Sequence, residues 1–145
     1  KAKNVKEEYA QDYIFGYCIV NDVSERSWQK ERGGQWIKGK SIAGNCGPLL
    51  VTKDEIENIN NINLSLDVNK QRRQTGNTSR MIFNFNFLVS HISQFMTLFP
   101  GTIITTGTPA GTAMEMKEPK FLQAGDEIKI KIDYLGEQLQ VVIDE

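Results

Sequence analysis

The sequence predicts a mostly β fold with short helices, α+β in class, and three observations carry that expectation. Apolar residues alternate at Ile62, Leu64, Leu66 and Val68, at Ile128, Ile130 and Ile132, and at Leu139, Val141 and Ile143. A period of two places each set on one face of a strand. The runs are of strand length and are bounded by Gly, Pro, Asn and Asp, whereas only one segment repeats at the helical spacing of three and four. With 145 residues, 39% of them hydrophobic, the chain is long enough for one core and too short for two ordinary domains, so residues 1–145 are expected to form a single domain.

Taken in order, Asn4 to Asp12 is polar and compatible with a helix. Tyr13 to Val20 is rich in aromatic and branched residues between polar flanks, which predicts a buried strand that delivers Asp22 to its end. Ser24 to Gln29 predicts a short helical turn and Arg32-Gly33-Gly34 a loop. Pro48 to Thr52 reads as a strand, Lys53 to Glu57 as a polar turn, and Asn69-Lys70 as the hairpin turn between Ile62 to Val68 and Gln71 to Gln74. From Asn86 to Leu98 the spacing of Phe87, Leu88, His91, Ile92, Phe95 and Met96 predicts an amphipathic helix, ended by Pro100-Gly101. Thr102 to Thr106 predicts a compact strand that runs into a loop, Gly107 to Gly111. Ala124-Gly125-Asp126 is a turn, and the last two strands form a hairpin around Leu135-Gly136.

Seventeen basic and 18 acidic residues leave a formal charge of −1. No stretch gathers the Lys and Arg that a nucleic-acid groove requires, so nucleic acid is not an expected partner. The longest apolar stretch, Met81 to Ile92, is interrupted by Asn84, Asn86, Ser90 and His91, so no membrane span is expected. Without a secretory signal, and with only Cys18 and Cys46, the chain reads as cytoplasmic with free thiols. It opens on Lys1 rather than Met, as a fragment or a processed chain would.

A single histidine and no Cys-His pair leave little for a nucleophilic triad, and His91 is expected as a packed core residue of the helix. A denser signal lies in Asn21-Asp22-Val23-Ser24-Glu25-Arg26, which puts a carboxylate at a strand mouth and an arginine four residues on. Such a carboxylate can hold a hard cation, and the guanidinium can grip a substrate carboxylate with two parallel donors. An Asx turn with a surface ion pair explains the same residues. Lys38-Gly39-Lys40-Ser41 offers a cation for a developing negative charge, or simply solvated lysines. Thr105-Thr106-Gly107-Thr108-Pro109-Ala110-Gly111 offers hydroxyls and backbone amides to an anion, or a tight turn that needs glycine.

Together and in this order, these segments resemble the fumarylacetoacetate hydrolase family. Gly16-Tyr17 through Ser24-Glu25-Arg26, Gln35-Trp36 with Lys38-Gly39-Lys40-Ser41, and Gly76-Asn77-Thr78-Ser79 with Met81-Ile82-Phe83 carry the resemblance. Phe95-Met96-Thr97-Leu98, Thr106 to Gly111 and Ala124-Gly125-Asp126 continue it. Glu31 to Trp36 and Leu135-Gly136-Glu137-Gln138 look closest to the branch that hydrolyses diketo-deoxy sugar acids, where ureidoglycolate lyase-like members also occur.

The resemblance implies a mixed β-sandwich or roll, a homodimer, and a Mg2+ or Mn2+ ion, with Ca2+ possible in a crystal. It implies Asp22 as a metal ligand, Arg26, Gln29 and Thr108 as substrate-binding residues, and Lys40 as the catalytic residue that stabilises negative charge. A Glu-x-Glu strand and an N-terminal lid are expected ahead of Lys1. Two departures stand out: Ser27 replaces an aspartate that supports Arg26 in the family, and the segment after Ser41 differs. The implied activity is hydrolysis of a carbon-carbon bond in a small acylpyruvate-like or 2,4-diketo-3-deoxy sugar acid through a metal-stabilised enolate. The alternatives are decarboxylation or isomerisation of a 2-keto dicarboxylic acid, or a catalytically incomplete binding or assembly domain.

Overall fold

The computed structural model describes residues 1–31 and 46–144. The expected Arg32-Gly33-Gly34 loop and the segment holding Gln35, Trp36 and Lys38 to Ser41 lie outside them. Of the expected buried strand from Tyr13 to Val20, only Gly16–Val20 forms β1, with Ile19 its one buried residue and Tyr13 ending a 3₁₀ turn. β1 pairs antiparallel with β2 (Cys46–Thr52) from Gly16 opposite Thr52 to Val20 opposite Cys46, with a register shift after Cys18. Asn21 and Asp22 follow directly from its end. The expected helical turn is α1 (Arg26–Glu31).

A second sheet takes the order β4-β3-β5-β6, from β3 (Asn63–Val68), β4 (Gln71–Asn77), β5 (Glu127–Ile132) and β6 (Gly136–Val141), all antiparallel. The β3–β4 turn places Asn69 at φ 50° and Lys70 at φ 67°, the paired left-handed conformations of a tight hairpin. Asn69 also accepts from the backbone N–H of Glu127 at 2.9 Å, which ties this turn to the start of β5. The main core gathers Ile19 from β1 with Ile56, Ile62, Val68, Ile128, Ile130 and Leu135, so β1 packs on the four-stranded sheet.

A smaller core forms where the N-terminal segment docks on α2 (Phe85–Phe95), through Ala2, Val5, Ala10, Val89 and Leu98. Asn84 caps α2 by accepting from the N–H of Phe87 at 2.7 Å. The helix ends at Phe95, five residues short of the expected Pro100 stop. Met96 is extended at φ −137° and ψ 156°, and Leu98 makes a reciprocal backbone pair with Ala2. The buried face also differs from expectation: Val89, Ser90 and Ser93 face inward. Small polar residues suit that face because the N-terminal backbone crosses it closely. Ser93 Oγ accepts from the N–H of Val5 at 2.9 Å and donates to Ser90 O, while Ser90 Oγ donates to Val5 O. Phe87 and Phe95 instead flank an exposed His91, with ring centroids 5.5 and 5.0 Å away. His91 is therefore a surface aromatic neighbour and not a core residue.

Two further expectations are corrected. Thr102 to Thr106 is branched enough for a strand but finds no ladder partner, and it runs as irregular chain. β6 alternates as expected, but with its sides exchanged: Leu139 is 62% exposed and Val141 59%, while Gln138 is buried at 8%. Among the described residues no helix is long and apolar enough to cross a membrane.

Ser93 is fully buried and serves two backbone partners, so Ser93→Ala should leave the Val5 N–H without an acceptor and cost about 1–3 kcal/mol. Urea unfolding read by circular dichroism checks this, with the exposed Ser79→Ala as the comparison expected to stay within about 0.5 kcal/mol of the parent.

Candidate functional site

β1 ends against β6 through two side-chain amides. Asn21 is buried, and its Nδ2 donates to Gln140 Oε1 at 2.5 Å, which anchors the residue next to Asp22. The N–H of Val23 then bonds back to Asn21 O at 2.9 Å, and the chain turns away from the strand with Asp22 exposed at the corner. Glu25 closes the turn into α1. Its Oε1 accepts from the N–H of Ser27 at 2.9 Å and also from the Ser27 hydroxyl. These bonds hold the Glu25 carboxyl below the usual carboxylate range. Ser27 thus donates to Glu25 at the helix start and makes no bond to Arg26 among the described residues.

Arg26 receives its support from one turn along the helix. Its Nη1 donates to Gln29 Oε1 at 2.7 Å. Gln29 is 4% exposed, and its Nε2 has no hydrogen-bond partner among the described residues. A buried amide N–H without an acceptor costs about 1–3 kcal/mol, which an incoming carbonyl or carboxylate oxygen would recover. Arg26 and Gln29 therefore form one donor unit.

The Thr106 to Gly111 loop is seated on β4. Gln74 Nε2 donates to Thr108 Oγ1 at 2.8 Å and to Pro109 O at 2.7 Å. Gly111 sits at φ +111°, and a Cβ there would lie 2.0 Å from Arg73 O, so this position excludes every side chain. The expected cradle of loop amides is partly filled from within. Glu115 Oε2 accepts from the N–H groups of Gly111 at 2.7 Å and Thr112 at 2.8 Å, which holds its carboxyl below the usual range. Thr105, Thr106 and Thr108 all line the cleft that Asp22 and Arg26 also border.

Asp22, Arg26 and Thr108 all border one cleft of about 1980 Å³, lined also by Gln74 and Gln140. A typical small-molecule pocket holds about 300–1,000 Å³, so a small acid fills only part of it. Gln29 is not among the residues lining the cleft and joins it through its bond with Arg26, and Lys40 lies outside the described residues. Among the described residues no group of three or more His, Cys, Asp or Glu side chains converges as a metal site. Asp22 is a suitable donor for a hard cation, but such an ion takes about six oxygen ligands. Glu25, the nearest carboxylate in sequence, is committed to Ser27.

Sequence reading passed over two kinds of feature here, inward polar residues and a cysteine pair. Asn21, Gln74 and Gln140 are polar residues at inward positions, a mismatch with alternation that is itself a signal. The cysteines, 28 residues apart, meet across β1 and β2 with Sγ atoms 3.2 Å apart and remain free thiols. Burial, with the hydrogen bond and mutual repulsion of Cys46, pushes the Cys18 thiol up to about 11. The thiolate is the reactive form, so alkylation of Cys18 should be slow near pH 8 and accelerate as pH approaches 11. Cys46→Ala removes two of the three causes, and the rate profile, followed by mass spectrometry, should move to lower pH.

The family model described as fumarylacetoacetate (FAA) hydrolase C-terminal matches residues 1–143. A curated relative from Burkholderia cenocepacia, provisionally named a hydrolase, is 52% identical over 143 residues, covering 97% of this chain and 51% of its own. The fumarylacetoacetate hydrolase from Exiguobacterium antarcticum superposes with a TM-score of 0.92 at 37% identity, over 99% of this chain and 52% of that one. A 2-hydroxyhepta-2,4-diene-1,7-dioate isomerase from Mycobacterium marinum gives 0.84 at 37% identity, over 98% and 53%. Maleylpyruvate hydrolase from Sphingobium, in complex with manganese(II) and pyruvate, gives 0.82 at 30% identity, over 98% and 49%. The chain spans about half the length of the curated relatives it matches.

Proposed function

Because the chain belongs to the fumarylacetoacetate hydrolase family, we propose that its full-length protein hydrolyses a carbon-carbon bond in a small diketo acid of the acylpyruvate or 2,4-diketo-3-deoxy sugar acid kind. The observation that carries this reading is the Arg26–Gln29 unit, a guanidinium beside a buried amide whose Nε2 has no acceptor among the described residues. That pair suits a carboxylate next to a keto oxygen, the shared head group of these acids.

In the proposed reaction Arg26 grips the substrate carboxylate, Gln29 Nε2 donates to the adjacent keto oxygen, and the Thr108 hydroxyl donates to the carboxylate. Lys40 holds the negative charge that develops on the keto oxygen. Water adds to the distal carbonyl carbon, and the bond from that carbon to the neighbouring methylene breaks. Its electron pair passes to the keto-acid fragment as an enolate, which takes a proton and leaves as a 2-keto acid beside a second carboxylic acid. A bound Mg2+ or Mn2+, with Asp22 among its oxygen ligands, supplies Lewis-acid polarisation; the manganese in the Sphingobium enzyme supports that assignment. A second reading, tautomerisation of a 2-keto dicarboxylic acid, is favoured by the Mycobacterium marinum isomerase and needs the same grip without the attacking water.

Incubating the full-length protein with an acylpyruvate and Mg2+ or Mn2+ should release two acids. An ultraviolet shift without a second acid assigns isomerisation, carbon dioxide assigns decarboxylation, and binding without turnover would leave a binding or assembly domain. Asp22→Ala should abolish cation-dependent turnover while leaving the unfolding midpoint in place; undiminished activity removes Asp22 from the metal shell. Lys40→Met should lower kcat by about 10²–10³ with little change in KM, as expected for a group that acts on developing charge. Steady-state kinetics with purified variants measures both.

A further inference from the structure

Resting on the keto-acid reading above, we infer that Gln74 is a positioning residue that fixes the Thr108 hydroxyl as a donor toward the cleft. β4 delivers Gln74 to an inward position opposite Leu66, where it is 9% exposed, while Gly76 lies opposite Leu64 two residues on. An amide among leucines is costly unless its polar atoms are engaged. Both recorded partners of Nε2 lie in the Thr108-Pro109 turn.

The direction of the amide follows from those partners. Pro109 O can only accept, so the Gln74 group within 2.7 Å of it is the NH2 and not the carbonyl oxygen. The same NH2 faces Thr108 Oγ1 at 2.8 Å, so that oxygen accepts there and its hydrogen turns elsewhere. Thr108 is exposed and borders the cleft with Asp22 and Arg26. With one lone pair engaged by Gln74, the hydroxyl keeps its proton free to offer the cleft, which suits a carboxylate oxygen.

The seat around this contact is tight on both sides. A Cβ at Gly76 would lie 3.1 Å from Pro109 Cβ, and one at Gly111 would lie 2.0 Å from Arg73 O. Three β4 positions outside the loop, Arg73, Gln74 and Gly76, thereby hold it against sliding. Gln74 is the one of the three whose side chain sets hydroxyl polarity as well as loop position.

The test is a double-mutant cycle in the full-length enzyme with an acylpyruvate and its neutral carboxamide counterpart. Gln74→Met should raise KM for the carboxylate substrate about tenfold, the scale of one weakened hydrogen bond to a charged group, with kcat within about threefold. Gln74→Glu, which turns the donor into an acceptor, should raise it further, and both increases should shrink with the carboxamide. Against a Thr108→Val background Gln74→Met should change KM by less than about twofold, and Thr108→Ser should restore the full dependence on Gln74. Thermal unfolding of each variant identifies loss of fold, and the Thr108→Val background keeps the comparison informative if Gln74→Glu is unstable. Wild-type turnover with an unaltered KM in Gln74→Met, or equal effects with and without the Thr108 hydroxyl, overturns the role of Gln74 alone. Absence of any wild-type turnover or binding of the keto acid overturns the functional reading and this inference with it.

Discussion

The contact between Asn21 Nδ2 and Gln140 Oε1 gives the candidate site its frame. β1 belongs to a two-stranded sheet and β6 to the edge of a four-stranded one, and apolar packing through Ile19 brings them together without fixing where the end of β1 stops. A part-buried amide pair has direction and length, which oily contacts lack. It stops β1 at Asn21, so Asp22 emerges at a corner, Val23 turns back on Asn21, and α1 begins four residues after Asp22 with Arg26 and Gln29 on successive turns. Loss of this contact would leave the core largely intact and release the carboxylate.

A similar logic holds the other side of the cleft. The threonine loop has no regular secondary structure of its own, and it keeps its shape by borrowing from β4 through Gln74 and from the following 3₁₀ turn through Glu115. Gln74 grips the middle of the loop and Glu115 its end, where Gly111 permits backbone contact that any side chain would block. The site is thus assembled from irregular segments pinned to regular ones, with rigidity supplied by strands and chemistry by the corners.

Much of this was legible in the sequence where a local rule and the global fold agree. Asn69-Lys70 is a turn because Asn tolerates left-handed backbone, and the flanking alternation of Leu64, Leu66 and Val68 had to be a strand. The places of Asp22, Arg26 and Thr108 around one cleft were also accessible, through motif order. What escaped depends on partners distant in the chain. Thr102 to Thr106 has strand composition but no neighbour to complete a ladder. The helix buries Ser90 and Ser93 because a backbone some 85 residues away by sequence crosses there. Periodicity marks Gln74 and Asn21 only as a mismatch, since their burial is justified by acceptors in segments that come much later.

β6 carries the most unusual consequence of this arrangement. Its glutamines point inward and its leucine and valine outward, so area alone would favour sliding the strand by one residue, which would exchange the two sets. The hairpin turn at Tyr134 opposes that slip, and so do Gln138, bonded to Gly47 O at 2.8 Å, and Gln140, bonded to Asn21. Two of those three restraints come from β1 and β2. The final alignment of the C-terminal edge is therefore proofread by the N-terminal pair, and a chain in which that pair has not yet docked would sample a misaligned edge that is greasier inside and wetter outside than the native one.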